Sequence, residues 1–283
     1  RKRGVIDRLF KGLGSLLSGR GVTVYDGTGR LGPDHTVTVE HGVGGGQEGT
    51  STIQADHVVL ATGSSPRTIG GFEVDGELVV TSDELLSITE VPARVVVIGG
   101  GAIGCEFASM LSDLGSEVTV LEALPEILVG CDADVAKAVR RSFRRRGITV
   151  HSGVSVTGHE PAGGSTVVSF GDERVEVDLV VMAVGRSPRG DAAGLVGTRV
   201  EVDERGFISV DDRLLTGEPG VYAVGDVVAT PQLAHVAFAE GMFVVKDLLG
   251  ESPLPLNAAT VPWCIYTHPE VAFAGLTEAA ARE

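Results

Sequence analysis

The chain has 283 residues, enough for about two domains of ordinary size. Its formal net charge of −15 argues against a general nucleic-acid-binding protein, because neutralising phosphates requires a basic surface. No apolar stretch approaches the length of about 20 residues that spans a bilayer. The 3 cysteines have neither metal-site nor Cys-x-x-Cys spacing, so we expect a reduced, cytoplasmic protein without a membrane segment or bound metal.

The first part of the chain predicts one helix followed by short strands. Apolar residues at positions 5, 6, 9, 13, 16 and 17 have the spacing of a helix. The segment "GVTVYDGTGRLG" (21–32) then predicts a strand that runs into a glycine-rich turn. Two polar, β-rich stretches follow, "HTVTVE" (35–40) and "TSTIQA" (50–55), and they lead into a buried strand.

That buried strand belongs to a segment that occurs twice. "DHVVLATGSSPR" (56–67) matches "DLVVMAVGRSPR" (178–189) at eight of twelve positions, and each copy follows β-rich sequence. The shared Ser-Pro-Arg ending makes chance similarity between two buried strands a poor explanation. The repeat predicts the back halves of two related nucleotide-binding domains.

Between the two copies lies "VVVIGGGAIGCEF" (95–107), a dinucleotide-binding fingerprint. Arg94–Ile98 is predicted as a strand, the Gly-x-Gly-x-x-Gly loop runs from Gly99 to Gly104, and a helix follows at 105–114. The glycines permit a tight turn and close approach of the backbone to a pyrophosphate at the helix N-terminus. A second strand (117–121) ends at Glu122, whose carboxylate favours NAD because it would repel the 2′-phosphate of NADP. The alternative is an ordinary exposed glutamate at a strand end.

Three other features near this fingerprint have two interpretations each. Glu106 either interacts with the helix dipole in the first turn or faces the nicotinamide end of the site. Cys105 lies near a helix N-terminus, which can lower a thiol pKa, but a packing role is favoured. The cluster of arginines at 140–146 follows a predicted N-cap at Asp132 and indicates a solvated helix end, with a phosphate or partner site as the lesser alternative.

A third strand ends in Ala-x-Gly within "GVYAVGDVVATPQLAHVAFAEG" (220–241) and is followed by Asp226. With this motif the sequence resembles the flavoprotein disulfide reductases, and within them the dihydrolipoyl dehydrogenases most. The likeness extends over the chain through the following motifs: "ATGSSPR", "GGGAIGCEFAS", "VTVLEALPEIL", "AVGRSPR", "YAVGD" with "LAHVAFAEG", and "VPWCIYTHPEVAFAGLTE" (261–278).

The resemblance implies an α/β fold with two Rossmann-like domains, in which an FAD domain is interrupted by an NAD domain. Residues 1–91 would form the rear part of the FAD domain and residues 92–190 the NAD domain. Residues 191–258 would return to the FAD domain, and residues 259–283 would begin an α+β interface domain.

The resemblance also implies the residues that hold the cofactors. On the FAD side these are Gly29, Thr62, Gly63, Ser64, Asp226 and Ala234. On the NAD side they are Gly99, Gly100, Gly101, Ala102, Ile103, Gly104, Glu106, Glu122, Val154, Gly185 and Arg186. The alternative for Arg186 is a surface turn residue.

Several groups of the family pattern are absent from this sequence. They are the first Gly-x-Gly-x-x-Gly, the redox cysteine pair, the lysine beside the flavin and the catalytic histidine–glutamate pair. We therefore expect a fragment that lacks both ends and is inactive alone. His268 in "YTHPE" (266–270) is predicted as a turn residue, so no residue of the chain is predicted to be catalytic.

The function implied by the resemblance is FAD-dependent oxidation of dihydrolipoamide by NAD⁺. The implied partners are the lipoyl groups of 2-oxo acid dehydrogenase complexes and a second copy of the chain in a homodimer. A mercuric reductase, a soluble transhydrogenase and a non-catalytic NADH-binding module stay open as alternatives. The features that would discriminate among them, the cysteine spacing and the rest of the interface domain, are missing from this sequence.

Overall fold

The computed structural model describes residues 2–42 and 49–283. Its helices are α1 (Lys2–Gly19), α2 (Ser82–Leu85), α3 (Ala102–Asp113), α4 (Ala133–Arg145), α5 (Ala234–Leu248) and α6 (Glu278–Arg282). The strands before the fingerprint are β1 (Thr28–Leu31), β2 (Thr36–Glu40), β3 (Thr50–Gln54), β4 (Val58–Leu60), β5 (Ser64–Pro66) and β6 (Val79–Thr81). From the fingerprint onwards they are β7 (Arg94–Ile98), β8 (Glu117–Glu122), β9 (Thr149–Ser152), β10 (Val156–Ala162), β11 (Ser165–Phe170), β12 (Glu173–Val177), β13 (Leu179–Met182), β14 (Arg186–Pro188), β15 (Val221–Ala223), β16 (Trp263–Ile265) and β17 (Val271–Phe273).

A parallel sheet with strand order β6-β13-β7-β8-β9 contains the fingerprint strand at its centre. Residues of β7 are buried on both faces of this sheet, as expected for a central parallel strand. Val95 and Val97 pack in one core with α3 and α4, whereas Val96 and Ile98 pack in another. The alternation follows from the two-residue period of a strand, which sends successive side chains to opposite faces. The α/β class is therefore confirmed.

The second face of this sheet is covered by β-structure instead of helices. β10, β11 and β12 form an antiparallel sheet whose residues Val168, Phe170 and Val177 belong to the same core as Val96 and Ile98. The β-rich sequence before the second repeat is thus an antiparallel sheet that covers the parallel one.

The other half of the molecule is built around the first repeat and the third Ala-x-Gly strand. β4 pairs in parallel with β15, and β1, β2 and β3 form an antiparallel sheet beside them. Leu31, Leu60 and Val221 share one core, and Val224 packs with residues of α5 in a smaller one.

One predicted strand is displaced along the chain. Residues 22–26, expected to be a strand, are irregular, and β1 begins at Thr28, where a turn was expected. The reason is pairing, because residues of β1 are opposite residues of β2. Among the described residues no strand lies beside residues 22–26 to satisfy their backbone groups, and Val24 is 69% exposed.

Two of the predicted helices form, one without burying its apolar residues and one with an earlier start. α1 covers the predicted apolar pattern, but none of its residues is buried. α3 begins at Ala102 instead of residue 105, because Gly101 is extended and acts as the N-cap. In the described ranges no helix combines the length and the apolar character needed to cross a membrane.

The arginine-rich helix begins after its predicted N-cap, Asp132, although that carboxylate caps no backbone group of its own helix. It accepts the backbone N–H of Glu278 at 2.7 Å instead and so connects α4 to α6. Arg140 pairs with Glu126 at 2.8 Å, and Arg146 bonds Ser109. The helix end is therefore partly ion-paired and not simply solvated.

The endings of the two repeats pair with each other. β5 and β14 form an antiparallel ribbon in which Ser65 lies opposite Ser187. The ribbon is extended by two reciprocal hydrogen bonds, from Arg67 N–H to Gly185 O and from Arg189 N–H to Gly63 O, each 2.9 Å long. The repeated Ser-Pro-Arg sequence therefore joins the two halves through an approximate local twofold relation.

The predicted domain boundaries at 91/92, 190/191 and 258/259 stay predictions. β6 precedes the first boundary in sequence and nevertheless pairs with β13 in the central sheet. Arg1 and residues 43–48, which belong to the first predicted segment, lie outside the described residues.

Replacing Asp178 with Asn should destabilise the central sheet at neutral pH. Asp178 accepts hydrogen bonds from the backbone and the guanidinium of Arg94, and the Arg94 hydrogen bond holds the pKa of Asp178 below its usual range. A depressed pKa contributes stability above about pH 4, which is lost as the pH falls through the folded-state value. We expect a loss of about 1 kcal/mol in the free energy of unfolding at pH 7.

Urea denaturation of the two proteins at pH 7 and at pH 3 tests this expectation. The difference between wild type and Asp178→Asn should shrink at the lower pH. Asp172→Asn, in the exposed turn between β11 and β12, is the matched control and should change stability little. An equal loss at both pH values would contradict the role given to the Asp178 charge.

The three cysteines should react at very different rates. Cys105 is fully buried against the fingerprint loop, and burial raises its pKa to about 12, with the charge of Glu122 as a smaller cause. Burial also raises the pKa of Cys131, whereas Cys264 is exposed on β16. Iodoacetamide labelling followed by mass spectrometry should therefore modify Cys264 first and Cys105 only after unfolding. Labelling of native Cys105 as fast as Cys264 would show that the packing interpretation is wrong.

Candidate functional site

A cleft of about 930 Å³ opens at the carboxyl ends of β7 and β8. This is where parallel α/β sheets place ligands, because the loops after the strands diverge there. The predicted NAD-side residues that line the cleft are Gly99, Gly101, Ala102, Ile103, Glu106, Glu122, Val154, Gly185 and Arg186. The fold thus brings together residues from four separate sequence segments.

Glycine is needed at the fingerprint positions for different physical reasons. Gly99 has φ +109°, and a Cβ on it would overlap the carbonyl of Ala183. A Cβ on Gly104 would overlap the carbonyl oxygen of Gly99, so this glycine lets α3 pack tightly against the loop. Around Gly101 nothing lies within 4 Å, which leaves its surface open to the cleft. Gly100 and Gly104 are predicted site residues that do not line the cleft but allow its close-packed floor.

Glu122 is anchored at the cleft edge by backbone donors. It is only 9% exposed, and its two carboxylate oxygens accept the N–H of Gly100 and, at 2.7 Å, the N–H of Leu124. The interpretation as an exposed strand-end glutamate is therefore wrong. A carboxylate held in this way has a fixed orientation and bears a negative charge directly beside the glycine loop.

Glu106 lies in the same cleft, one turn further along α3 than the sequence indicated. Because α3 begins at Ala102, its first turn contains no acidic residue, and a charge–dipole interaction there is weak. The Oε1 atom of Glu106 accepts the backbone N–H of Tyr266 at 2.8 Å. This contact ties the helix to the segment that begins with β16.

A second cleft, of about 790 Å³, lies between α5 and the carboxyl ends of β4 and β15. Its walls are mostly apolar, and they include Gly63, Asp226 and Ala234 of the predicted FAD-side residues. Phe238 on the same wall is 75% exposed. An apolar surface with one carboxylate is suited to a flat, largely apolar ligand that carries hydroxyl groups.

The two clefts meet at a cluster of three polar side chains. Ser64 donates its hydroxyl to Asp226 at 2.6 Å, and Arg186 donates to the hydroxyl and the carbonyl of Ser64 at 2.6 and 2.8 Å. The Arg186 Nε lies 3.8 Å from the Asp226 carboxylate. Arg186 is therefore no free surface turn residue, since it connects one cleft to the other.

Three predicted FAD-side residues, Gly29, Thr62 and Ser64, do not line either cleft, and Ser64 belongs to the polar cluster between them. Gly29 lies on β1 opposite Val39, and Thr62 donates its hydroxyl to the carbonyl of Arg189 at 2.9 Å. Thr62 strengthens the junction between the repeats, whereas the FAD contact of Gly29 stays a prediction.

The structure adds cleft residues that the sequence did not indicate. Arg205, Phe207, Gln232, Trp263 and Cys264 line the first cleft, and Lys246 lines the second. Gln232, Trp263 and Cys264 lie within motifs that carry the family resemblance, whereas Arg205, Phe207 and Lys246 lie outside those motifs. Their proximity depends on how the chain returns after the second repeat, which no local pattern reveals.

Comparisons with known proteins agree with this arrangement. The family described as pyridine nucleotide-disulphide oxidoreductase matches residues 4–241. The dihydrolipoyl dehydrogenase of Haloferax volcanii is 41% identical, and the match covers 100% of this chain and 60% of that protein. The dihydrolipoyl dehydrogenase of Bacillus subtilis is 38% identical, with 100% and 61% covered. The chain thus spans about three fifths of the length of these curated relatives.

Solved structures give the same result. LpdA from Mycobacterium tuberculosis superposes with a TM-score of 0.92 at 28% identity, covering 99% of this chain and 61% of that one. The HOCl-induced flavoprotein disulfide reductase RclA from Escherichia coli superposes with a TM-score of 0.90 at 27% identity, with 100% and 64% covered. On the family match and the identity to its relatives, the chain belongs to the pyridine nucleotide-disulphide oxidoreductase family.

Proposed function

We propose that the first cleft binds NAD(H). The observation that carries this proposal is the buried carboxylate of Glu122, anchored to the glycine loop at the end of β8. Its remaining acceptor capacity faces the cleft, where it would accept the hydroxyls of an adenosine ribose. The N-terminus of α3 and the open surface of Gly101 would hold the pyrophosphate between helix dipole and backbone N–H groups.

We further propose that the second cleft contributes to an FAD site. Asp226 would accept hydrogen bonds from the flavin's ribityl hydroxyls, while Ala234 and the apolar face of α5 would contact the ring. FAD would supply hydride and electron transfer when bound. Ser64 donates to Asp226 and Arg186 lies beside it, so these residues would orient the acceptor.

The whole-protein activity that we propose is oxidation of dihydrolipoamide with NAD⁺. Its support is the name and the identity of the curated relatives, of which this chain spans about three fifths. The proposed partners are the lipoyl groups of 2-oxo acid dehydrogenase complexes and a second copy in a homodimer, and the proposed location is the cytoplasm. The residues described above bind and orient cofactors, and none of them is assigned a part in thiol chemistry.

Replacing Glu122 with Gln should weaken NADH binding about tenfold and narrow the preference over NADPH. The amide keeps one oxygen for the loop N–H but removes the charge that would repel the 2′-phosphate. Calorimetric titration with both nucleotides measures the effect. Glu117→Gln, at the exposed start of the same strand, is the matched control and should bind like wild type. Tighter binding of NADPH than of NADH by the unmodified chain would refute the proposed preference.

Dihydrolipoamide oxidation should appear in a protein that carries this chain together with the segments its curated relatives have outside the match. NADH formation measured by absorbance tests the activity, and the visible spectrum reports bound flavin. Asp226→Asn should lower both the NADH formation and the bound flavin. The amide accepts hydrogen bonds through its oxygen only, whereas both oxygens of the carboxylate accept them. Asp172→Asn, on a distant exposed turn, should change neither. Bound flavin and NADH binding without lipoamide oxidation would favour a different disulfide substrate or a non-catalytic module.

A further inference from the structure

The parallel sheet has an open edge at β9. Among the described strands β9 is the last of this sheet and pairs with β8 alone. Alternate backbone N–H and C=O groups of a strand point to opposite sides, so one set along β9 faces away from β8. Within the described ranges this outer set has no strand partner. An edge of this kind is able to pair with a further strand.

A groove of about 510 Å³ reaches the start of this edge. Residues 147–150, which lead into β9, form one side of it. The other side consists of basic side chains from α4, and no acidic residue of the described chain lines the groove. The four basic residues are Lys137, Arg140, Arg141 and Arg144. None of the lining residues is shared with the two cofactor clefts, so the groove is a separate surface.

The basic groups of the groove differ in how far they are neutralised. Arg140 pairs with a glutamate of the loop after β8 at 2.8 Å. Lys137 has one contact with Asp134 at 3.5 Å, and both side chains are largely exposed. Arg141 and Arg144 are exposed, and neither forms an ion pair with a carboxylate in the part of the chain that the structure describes. The groove thus retains positive charge in a chain whose net charge is −15.

The spacing of this charge suits an extended acidic segment. Arg141 lies about one helical turn from Lys137 and from Arg144, which is about 5.4 Å along the axis. Every second side chain of a strand points to the same side, at intervals of about 6.6 Å. Because α4 leads into β9 through the short turn at residues 146–148, a strand added to β9 would run alongside the helix. Carboxylates at alternate positions of that strand would then approach successive basic groups.

Other occupants suit these features less well. A second copy of the chain in a twofold contact would place the basic groove against itself and oppose like charges. A nucleic acid would meet the negative charge of the surrounding chain beyond the groove. A small inorganic anion would contact the arginines, but the carbonyl groups of the strand edge would repel it.

We propose that the groove between α4 and β9 binds an extended acidic segment of a partner protein, which adds a strand to the sheet. The backbone of the segment pairs with the outer edge of β9, and its carboxylates accept charge-assisted hydrogen bonds from Arg141 and Arg144. Backbone pairing supplies affinity for any extended chain, whereas the arginines select acidic side chains. The inference depends neither on the cofactors nor on the identity of the disulfide substrate.

A short fluorescein-labelled peptide of alternating Glu and Thr is a suitable probe. The same peptide with Gln in place of Glu is the uncharged partner, and fluorescence anisotropy at low salt measures the binding of both. We expect the acidic peptide to bind at least about tenfold more tightly, because two guanidinium groups contact its carboxylates. The difference should shrink at high salt, which screens exposed charges. Equal affinity of the two peptides at low salt would overturn the proposal.

A pair of double variants tests the location of the peptide. Arg141→Gln combined with Arg144→Gln should weaken binding of the acidic peptide about tenfold and leave the Gln peptide unaffected. Arg3→Gln combined with Arg8→Gln is the matched control, since it removes the same charge from exposed residues of α1 that do not line the groove. Equal weakening by the two double variants would mean that overall charge attracts the peptide, and the assignment of the groove would be wrong.

Methylation of the peptide's backbone nitrogens tests strand addition. One version is methylated at the Glu residues and another at the Thr residues, because only alternate N–H groups of an added strand face β9. We expect at least one version to bind about tenfold more weakly than the parent peptide, since a methylated nitrogen no longer donates. Unchanged binding of both versions would show that the arginines form a simple anion site. Tighter binding of a single-stranded oligonucleotide of equal charge would likewise contradict a peptide as the occupant.

Discussion

The ribbon between β5 and β14 is the constraint on which the rest of the molecule depends. Its strands continue from β4 and β13, one in each half of the structure, and reciprocal backbone hydrogen bonds at Gly63 and Gly185 close it at both ends. Each glycine has a positive φ, so each strand can turn directly into the ribbon. The relative position of the two clefts is therefore set by backbone pairing and not by flexible surface contacts.

Within the ribbon the two repeats differ at one position, the first residue of each strand. Ser64 in the first copy corresponds to Arg186 in the second, and the two side chains bond each other. Asp226 then accepts from Ser64, which places a carboxylate of the second cleft 3.8 Å from an arginine that lines the first. The repeated segment thus carries complementary polar groups at its point of contact.

A buried glutamate fixes a glycine turn after a parallel strand in each half. Glu122 accepts from Gly100 after β7, and Glu240 accepts from Gly225 after β15. The two carboxylates differ in how they are satisfied: Glu122 has a second backbone donor at Leu124, whereas one oxygen of Glu240 has no partner among the described residues. Since an unpaired buried acceptor is costly, the described residues satisfy the carboxylate of Glu122 more fully than that of Glu240.

The sequence by itself determined the local elements and the family. The glycine spacing after β7, the acid at the end of β8 and the repeated strand endings act within a few residues, so their meaning can be read without tertiary contacts. Only the tertiary structure decided that residues 22–26 have no partner strand within the described part of the chain, that Arg186 bonds Ser64 and that Glu106 accepts from Tyr266. It also placed Arg205 and Trp263 in the first cleft and the buried Glu240 carboxylate against the backbone N–H of Gly225. These features depend on groups that are distant in sequence, and their pairing follows from strand order and chain return, which local propensity and periodicity do not encode.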